Sequence, residues 1–242
     1  MSRRNFTGVL LIGLVGVLAA VLIWRRIDPF DTSTSNVLIG EYLRNPAKRP
    51  PLINDALEEC EGAPFALPSS GLIGLMYGDT AGPYSTTRKH TGIDIFGNGD
   101  AGTVPIYAVY DGLLSRLADW RSSVIIRHED PLQAGRFIWT YYTHMASEDG
   151  NTSFVAPQFL AGVAAVPVKK GTLLGYQGEY AGSGSPIAMH LHFSVVLSDN
   201  DGSFLNEADL ANTLDPSLYF GLPMRLEDGV GERPLGCLNS NP

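Results

Sequence analysis

The stretch "MHLHFSVV", residues 189–196, sets two histidines one residue apart at the head of an apolar run. In an extended strand, side chains at i and i+2 leave the same face about 6–7 Å apart. His190 and His192 are therefore aimed at one small volume. By spacing alone they are metal ligands, catalytic bases or polar caps of a strand.

Runs of the same kind surround this one. "VPIYAVY", "GLLSRL", "SVIIRHE" and "RFIWTYYTHM" are short, apolar or alternating, and separated by Gly, Pro, Asp and Asn. With 27 glycines and 16 prolines in 242 residues, this texture predicts an antiparallel β domain with many tight turns. No long helical stretches lie between the runs, which argues against a parallel βαβ array. In "RFIWTYYTHM", which carries Trp139, Tyr141 and Tyr142, one parity is expected to be core and the other to line a groove. Residues 147–166 read as a long loop with one helical turn. A short helix is expected in "NVLIGEYLR", and one or two further turns in "NDALEEC".

Four segments follow. Residues 1–26 form an N-terminal anchor, 27–62 a linker with short helical turns, 63–225 the folded domain and 226–242 a tail. The anchor rests on residues 8–24, "GVLLIGLVGVLAAVLIW", which carry no charge and reach the short end of a membrane-spanning helix. Ala19 and Ala20 make a poor cleavage site, so a retained transmembrane helix is expected, with the domain outside the cytoplasm; cleavage would give a secreted form. Arg3, Arg4, Arg25 and Arg26 balance across the segment and do not set its orientation. Cys60 and Cys237 bracket the folded region, and in an exported domain a disulfide between them would tie its ends together. The formal charge of −8 counts against a nucleic-acid partner.

Five histidines occur in the chain. His90 precedes Asp94 by four residues in "RKHTGIDIFG". On a straight strand their Cα atoms would stand about 13 Å apart, too far for joint chelation. Gly92, Thr91 and Ile93 disfavour a helix, so a bend at Gly92 is expected to bring the pair together. Two histidines and an aspartate leave zinc a fourth, open position, as catalytic sites do, and cysteine is too scarce here for a closed structural site. His128 ends a strand and reads as a structural or rim residue. Asp79, Asp100, Asp111 and Asp215 read as turn residues.

These motifs together resemble the lysostaphin/LytM-type zinc metallopeptidases, which cut peptide cross-links in bacterial peptidoglycan. "HTGIDI" is similar to the family's H-x-x-x-D signature, "YYTHM" to its Y-x-H-[LM] motif and "HLHF" to its H-x-H signature, in the family's order. The resemblance covers roughly residues 65–222. It implies a mainly β fold, a hybrid of antiparallel sandwich and barrel, with one zinc per chain held by His90, Asp94 and His192. It implies that His144 and His190 flank the water that attacks the peptide, and that Tyr84 contacts the oxyanion. It also implies a zinc endopeptidase acting on peptidoglycan peptides. Two alternatives remain open: a catalytically silent wall-binding module that activates amidases, and a zinc peptidase acting on a secreted protein. Ala188-Met189 before H-x-H and the length of 147–166 depart from the family pattern, and both are expected to touch substrate subsites.

Overall fold

Strand β9 (Leu191–Leu197) is covered on both faces, and the sheet is built around it. The computed structural model describes residues 33–182, 186–226 and 232–237. In chain order the strands are β1 (Leu72–Leu75), β2 (Ile93–Phe96), β3 (Pro105–Tyr107), β4 (Gly112–Ser115), β5 (Val124–Glu129), β6 (Phe137–Thr143), β7 (Val166–Val168), β8 (Leu173–Tyr176), β9 and β10 (Thr213–Leu214). The main sheet runs β1-β2-β9-β6-β5-β4-β7 with β10 also paired to β9, and β3-β8 form a separate pair. All pairings are antiparallel. The expected mainly β, antiparallel domain is therefore present.

Register decides which side chains share a face. Asp94 pairs with His192, which in turn pairs with Thr143 on β6, and Tyr141 pairs with Ser194. These five side chains lie on one face. Phe193, Val195, Ile138 and Tyr142 lie on the other, in a core shared with Ile106 and Leu174 of the two-stranded sheet. The two parities of β6 separate, and the structure decides which is core: Tyr142 is fully buried, while Tyr141 and Trp139 are only half-buried.

Helix α1 (Thr34–Arg44) forms where "NVLIGEYLR" predicts it, with Ser33 accepting the Asn36 amide as an N-cap. Its Ile39 and Tyr42 pack on Leu72, Leu75 and Phe96 of the sheet. Thus residues 33–62 lie along the domain. The helical turns expected in "NDALEEC" do not form. Leu57 N donates to Leu67 O and Leu67 N to Glu58 O, so tertiary pairing overrides local propensity. No helical turn forms in 147–166 either. Bridges from Ala146 to Ser153 and from Val155 to Gly175 hold that loop extended, and Arg116 Nη1 donates to Phe159 O at 2.8 Å. A four-residue helix α2 (Ser217–Phe220) follows Asp215, whose carboxylate accepts from the Ser217 amide as its turn reading predicts.

Asp79 does more than end a turn. It is fully buried, accepts from Ser35 of α1 and from the Ala81 amide, and stands 3.9 Å from the Arg233 guanidinium. Arg233 also donates to Gly74 O and to Ser35 Oγ. Cys60 and Cys237 form a disulfide across a sequence separation of 177, tying the last described residue back to the segment before β1. The expected membrane segment, residues 8–24, lies outside the described residues. Among the described residues no helix is long and apolar enough to cross a membrane.

Candidate metal centre and catalytic cleft

His90, Asp94 and His192 converge. His90 Nε2 is 3.1 Å from Asp94 Oδ1 and 3.0 Å from His192 Nδ1, and the latter is 2.8 Å from Asp94 Oδ1. All three residues are buried. Asp94 and His192 are brought together by strand register. His90 arrives from the segment before β2, where its amide donates to Asp79 O and its carbonyl accepts from Gly78 N.

Gly92 lies at a bend, as the sequence predicts, but close approach is its decisive property. A Cβ there would stand 2.1 Å from Phe193 O and 2.5 Å from Ser194 Oγ. Any side chain would push β2 away from β9.

The outer nitrogens of the ligand imidazoles decide what the inner ones offer. His90 Nδ1 is 3.0 Å from Met76 O, a carbonyl that only accepts, so Nδ1 carries the proton and Nε2 presents a lone pair. His192 Nε2 is 2.8 Å from Ser194 Oγ, and a proton donated there leaves Nδ1 as the inward lone pair. With both imidazoles neutral in these tautomers, three acceptor atoms face one another at about 3 Å. Such a set fits a small cation, and two imidazoles with one carboxylate are a zinc-type donor set with a position to spare. Burial raises Asp94, but the imidazoles of His90 and His190 and the bond from His192 outweigh it and hold the carboxyl well below its ordinary value. For His192, the downward push of burial is outweighed by the bond and charge of Asp94, and its value rises.

Two further imidazoles stand beside this set. His190 sits one step along the strand face, its Nδ1 donating to Ala188 O at 2.7 Å and its ring stacked on Phe96. His144, just after β6, has a left-handed backbone with φ +75° and donates from Nδ1 to Tyr180 O at 2.7 Å. Non-glycine residues held this way often mark functional positions. The His144 and His190 rings lie 4.5 Å apart, and in both the Nε2 lone pair is left free of the backbone bond. Burial, then the charges of His190 and His192, push His144 down to about 3. Burial likewise lowers His190 against the pull of Asp94. Both are therefore neutral and able to accept a proton at neutral pH.

Tyr84 packs against His90 with its ring tilted 40° and 4.6 Å away, centroid to centroid. Burial first, then the charges of Asp94 and Glu207, raise its phenol and keep it a donor. A cleft of about 530 Å³ opens beside them, lined by Tyr84, His144 and His192 and walled by Trp120, Tyr141, Tyr180 and Glu207 among others.

No family model matches the chain, and no curated protein matches it. Solved structures do. The catalytic domain of the antimicrobial peptidase lysostaphin from Staphylococcus simulans matches at 21% identity over 61% of this chain and 90% of that one, with a TM-score of 0.39. The catalytic domain of a prophage-encoded M23 protein from Enterococcus faecalis matches at 24% identity over 63% and 96%, TM-score 0.33. A zinc-containing peptidase from Vibrio cholerae matches at 15% identity over 64% of this chain, which spans 39% of that one, TM-score 0.36. The chain is similar to the lysostaphin-type M23 peptidases.

Two departures from the lysostaphin-type pattern fall outside the cleft. Ala188 packs against the cluster of Leu72 and Phe96, and neither it nor Met189 lines the cavity. Residues 147–166 also contribute nothing to its wall. His128 is structural as read: it is buried, with Nδ1 donating to Asp111 O at 2.7 Å and Nε2 2.8 Å from Thr140 Oγ1. The sequence reading missed Ser194 and Glu207. Ser194 was findable, because it lies two residues beyond His192 on the same strand face. Glu207 comes from a loop, 3.8 Å from His192 Nε2, and carries no local signal.

Proposed function

We propose that the chain is a zinc-dependent endopeptidase that cuts peptide cross-links of bacterial peptidoglycan, anchored by residues 8–24 with the described domain outside the cytoplasm. The observation that carries the peptidase reading is the convergence of His90 Nε2, Asp94 Oδ1 and His192 Nδ1 beside two neutral imidazoles. The ordered H-x-x-x-D, Y-x-H-M and H-x-H motifs support the choice of substrate, and the disulfide supports export. His90, Asp94 and His192 would hold the zinc, which supplies a Lewis acid that polarises a carbonyl and makes water nucleophilic near neutral pH.

The protein's own groups do the rest. His144 and His190 each keep Nε2 clear of the backbone bond, that of His190 3.7 Å from Asp94 Oδ2, and would take a proton from the attacking water and return it to the departing amine. Their Nδ1 bonds to Tyr180 O and Ala188 O fix ring orientation in advance. The protonated Tyr84 phenol supplies a hydrogen bond to the carbonyl oxygen as charge develops on it. The aromatic walls, Trp120 and Tyr141, shield the reacting peptide from bulk water.

The test is to measure zinc per chain by elemental mass spectrometry and to incubate the protein with purified peptidoglycan, identifying new peptide termini. One zinc per chain and chelator-sensitive release of new termini are expected. Zinc-loaded protein that releases none, yet stimulates an amidase, would replace this reading with that of a non-catalytic activator. Cleavage of a secreted protein in place of peptidoglycan would keep the peptidase and change its substrate.

A further inference from the structure

We propose that Arg88 and Lys89 form a carboxylate-reading subsite beside the metal set, so that preferred peptides carry an acidic group close to the bond that is cut. This rests on the peptidase reading above. The chain carries a formal charge of −8, yet two adjacent cations border its cleft. Both line this cleft and a neighbouring cavity of about 400 Å³, so they stand where the two join.

Arg88 is held in place. Its guanidinium lies over the Tyr84 ring at 5.7 Å, and that ring packs, tilted, against His90 at 4.6 Å. The cation is thus two ring contacts from the metal set, with its orientation set by the aromatic face. Among the described residues, no carboxylate pairs with Arg88 or Lys89. The acids on the facing wall are engaged elsewhere. Glu207 Oε2 accepts from Thr91 Oγ1 at 3.4 Å and faces His192, while Asp209 Oδ1 accepts from the Ala211 amide at 3.0 Å. Asp119 stands with Arg121 at another part of the cavity wall, shared with a different neighbouring cavity.

Two positive groups at the edge of a peptide-sized cleft, with no carboxylate paired to them among the described residues, call for an anion brought by the occupant. A guanidinium and an ammonium present several donors together, which suits a carboxylate. A molecule that lays a peptide bond over His90, Asp94 and His192 carries that carboxylate on a neighbouring residue.

The experiment uses zinc-loaded protein and a series of labelled, end-blocked hexapeptides of alanine and glycine. Each carries one glutamate moved through the positions, alongside its glutamine counterpart, and binding is read by fluorescence anisotropy. At one or more positions glutamate is expected to bind about tenfold more tightly than glutamine. The Arg88→Gln/Lys89→Gln variant is expected to lose that preference while binding the glutamine peptides as before. Both residues are exposed, so the fold should survive, which zinc content and circular dichroism verify. Equal binding of glutamate and glutamine peptides at every position overturns the inference, as does a preference that persists in the double variant. A preference that disappears in the variant, with no peptide cut by either protein, keeps the subsite and counts against the peptidase reading alone.

Discussion

Asp94 and His192 sit directly opposite one another on β2 and β9, and Asp94 Oδ1 lies 2.8 Å from His192 Nδ1. Two of the three converging groups are thus a cross-strand pair, so the metal set and the strand register are one structural fact. A slip of one residue would send one of the pair to the opposite face.

Gly92 guards that register. Gly92→Ala would place a methyl 2.1 Å from Phe193 O. It should destabilise the domain by about 1–3 kcal/mol, as overpacking does, and weaken zinc binding along with it. Urea unfolding and chelator competition, run on the same variant, check both. A variant with unchanged zinc affinity would disconnect the register from the site.

Ser194 should act through His192 without touching a ligand of its own. Removing the hydroxyl in Ser194→Ala frees the outer nitrogen, and zinc affinity should drop about 10–100-fold. Ser194→Thr keeps the hydroxyl and should restore part of it. Competition with a fluorescent chelator reads the difference independently of turnover.

His192→Ala and His144→Ala should fail differently. Loss of His192 should remove the zinc together with hydrolysis. Loss of His144 should leave one zinc per chain and lower kcat about 10²–10⁴-fold. Metal analysis beside steady-state kinetics separates the two, and equal zinc loss in both would refute the division of roles.

His128 supplies a pH dependence away from the cleft. Burial lowers it from 6.5 to about 4 despite the bond to Asp111 O. Between those values the unfolded chain binds a proton that the folded one refuses. Stability is therefore complete above about pH 6.5 and falls as pH drops toward 4, by about 3 kcal/mol at the limit. His128→Gln should be less stable near neutrality yet lose less on acidification. Chemical unfolding at pH 7 and pH 4.5 measures the change in slope.

Much of the site was legible because it obeys short-range rules. The i, i+2 parity of His190 and His192 and the need for a bend between His90 and Asp94 can both be read locally. The partner of β2 cannot: Asp94 and His192 are 98 positions apart, and nothing near either one names the other. The same limit explains the misses. "NDALEEC" has helical residues but is claimed by backbone bonds to Leu67, and Asp79 beside a glycine resembles any turn until Ser35 and Arg233 close over it.

Asp79 also joins two mechanical paths. Its carboxylate grips Ser35 at the start of α1, and its carbonyl grips the amide of His90. If the preceding segment tethers the domain, tension entering at Ser33 would arrive one residue's width from the metal set. Arg233, braced on Gly74 and Ser35, would share the load as a buckle and shield His90 from the pull.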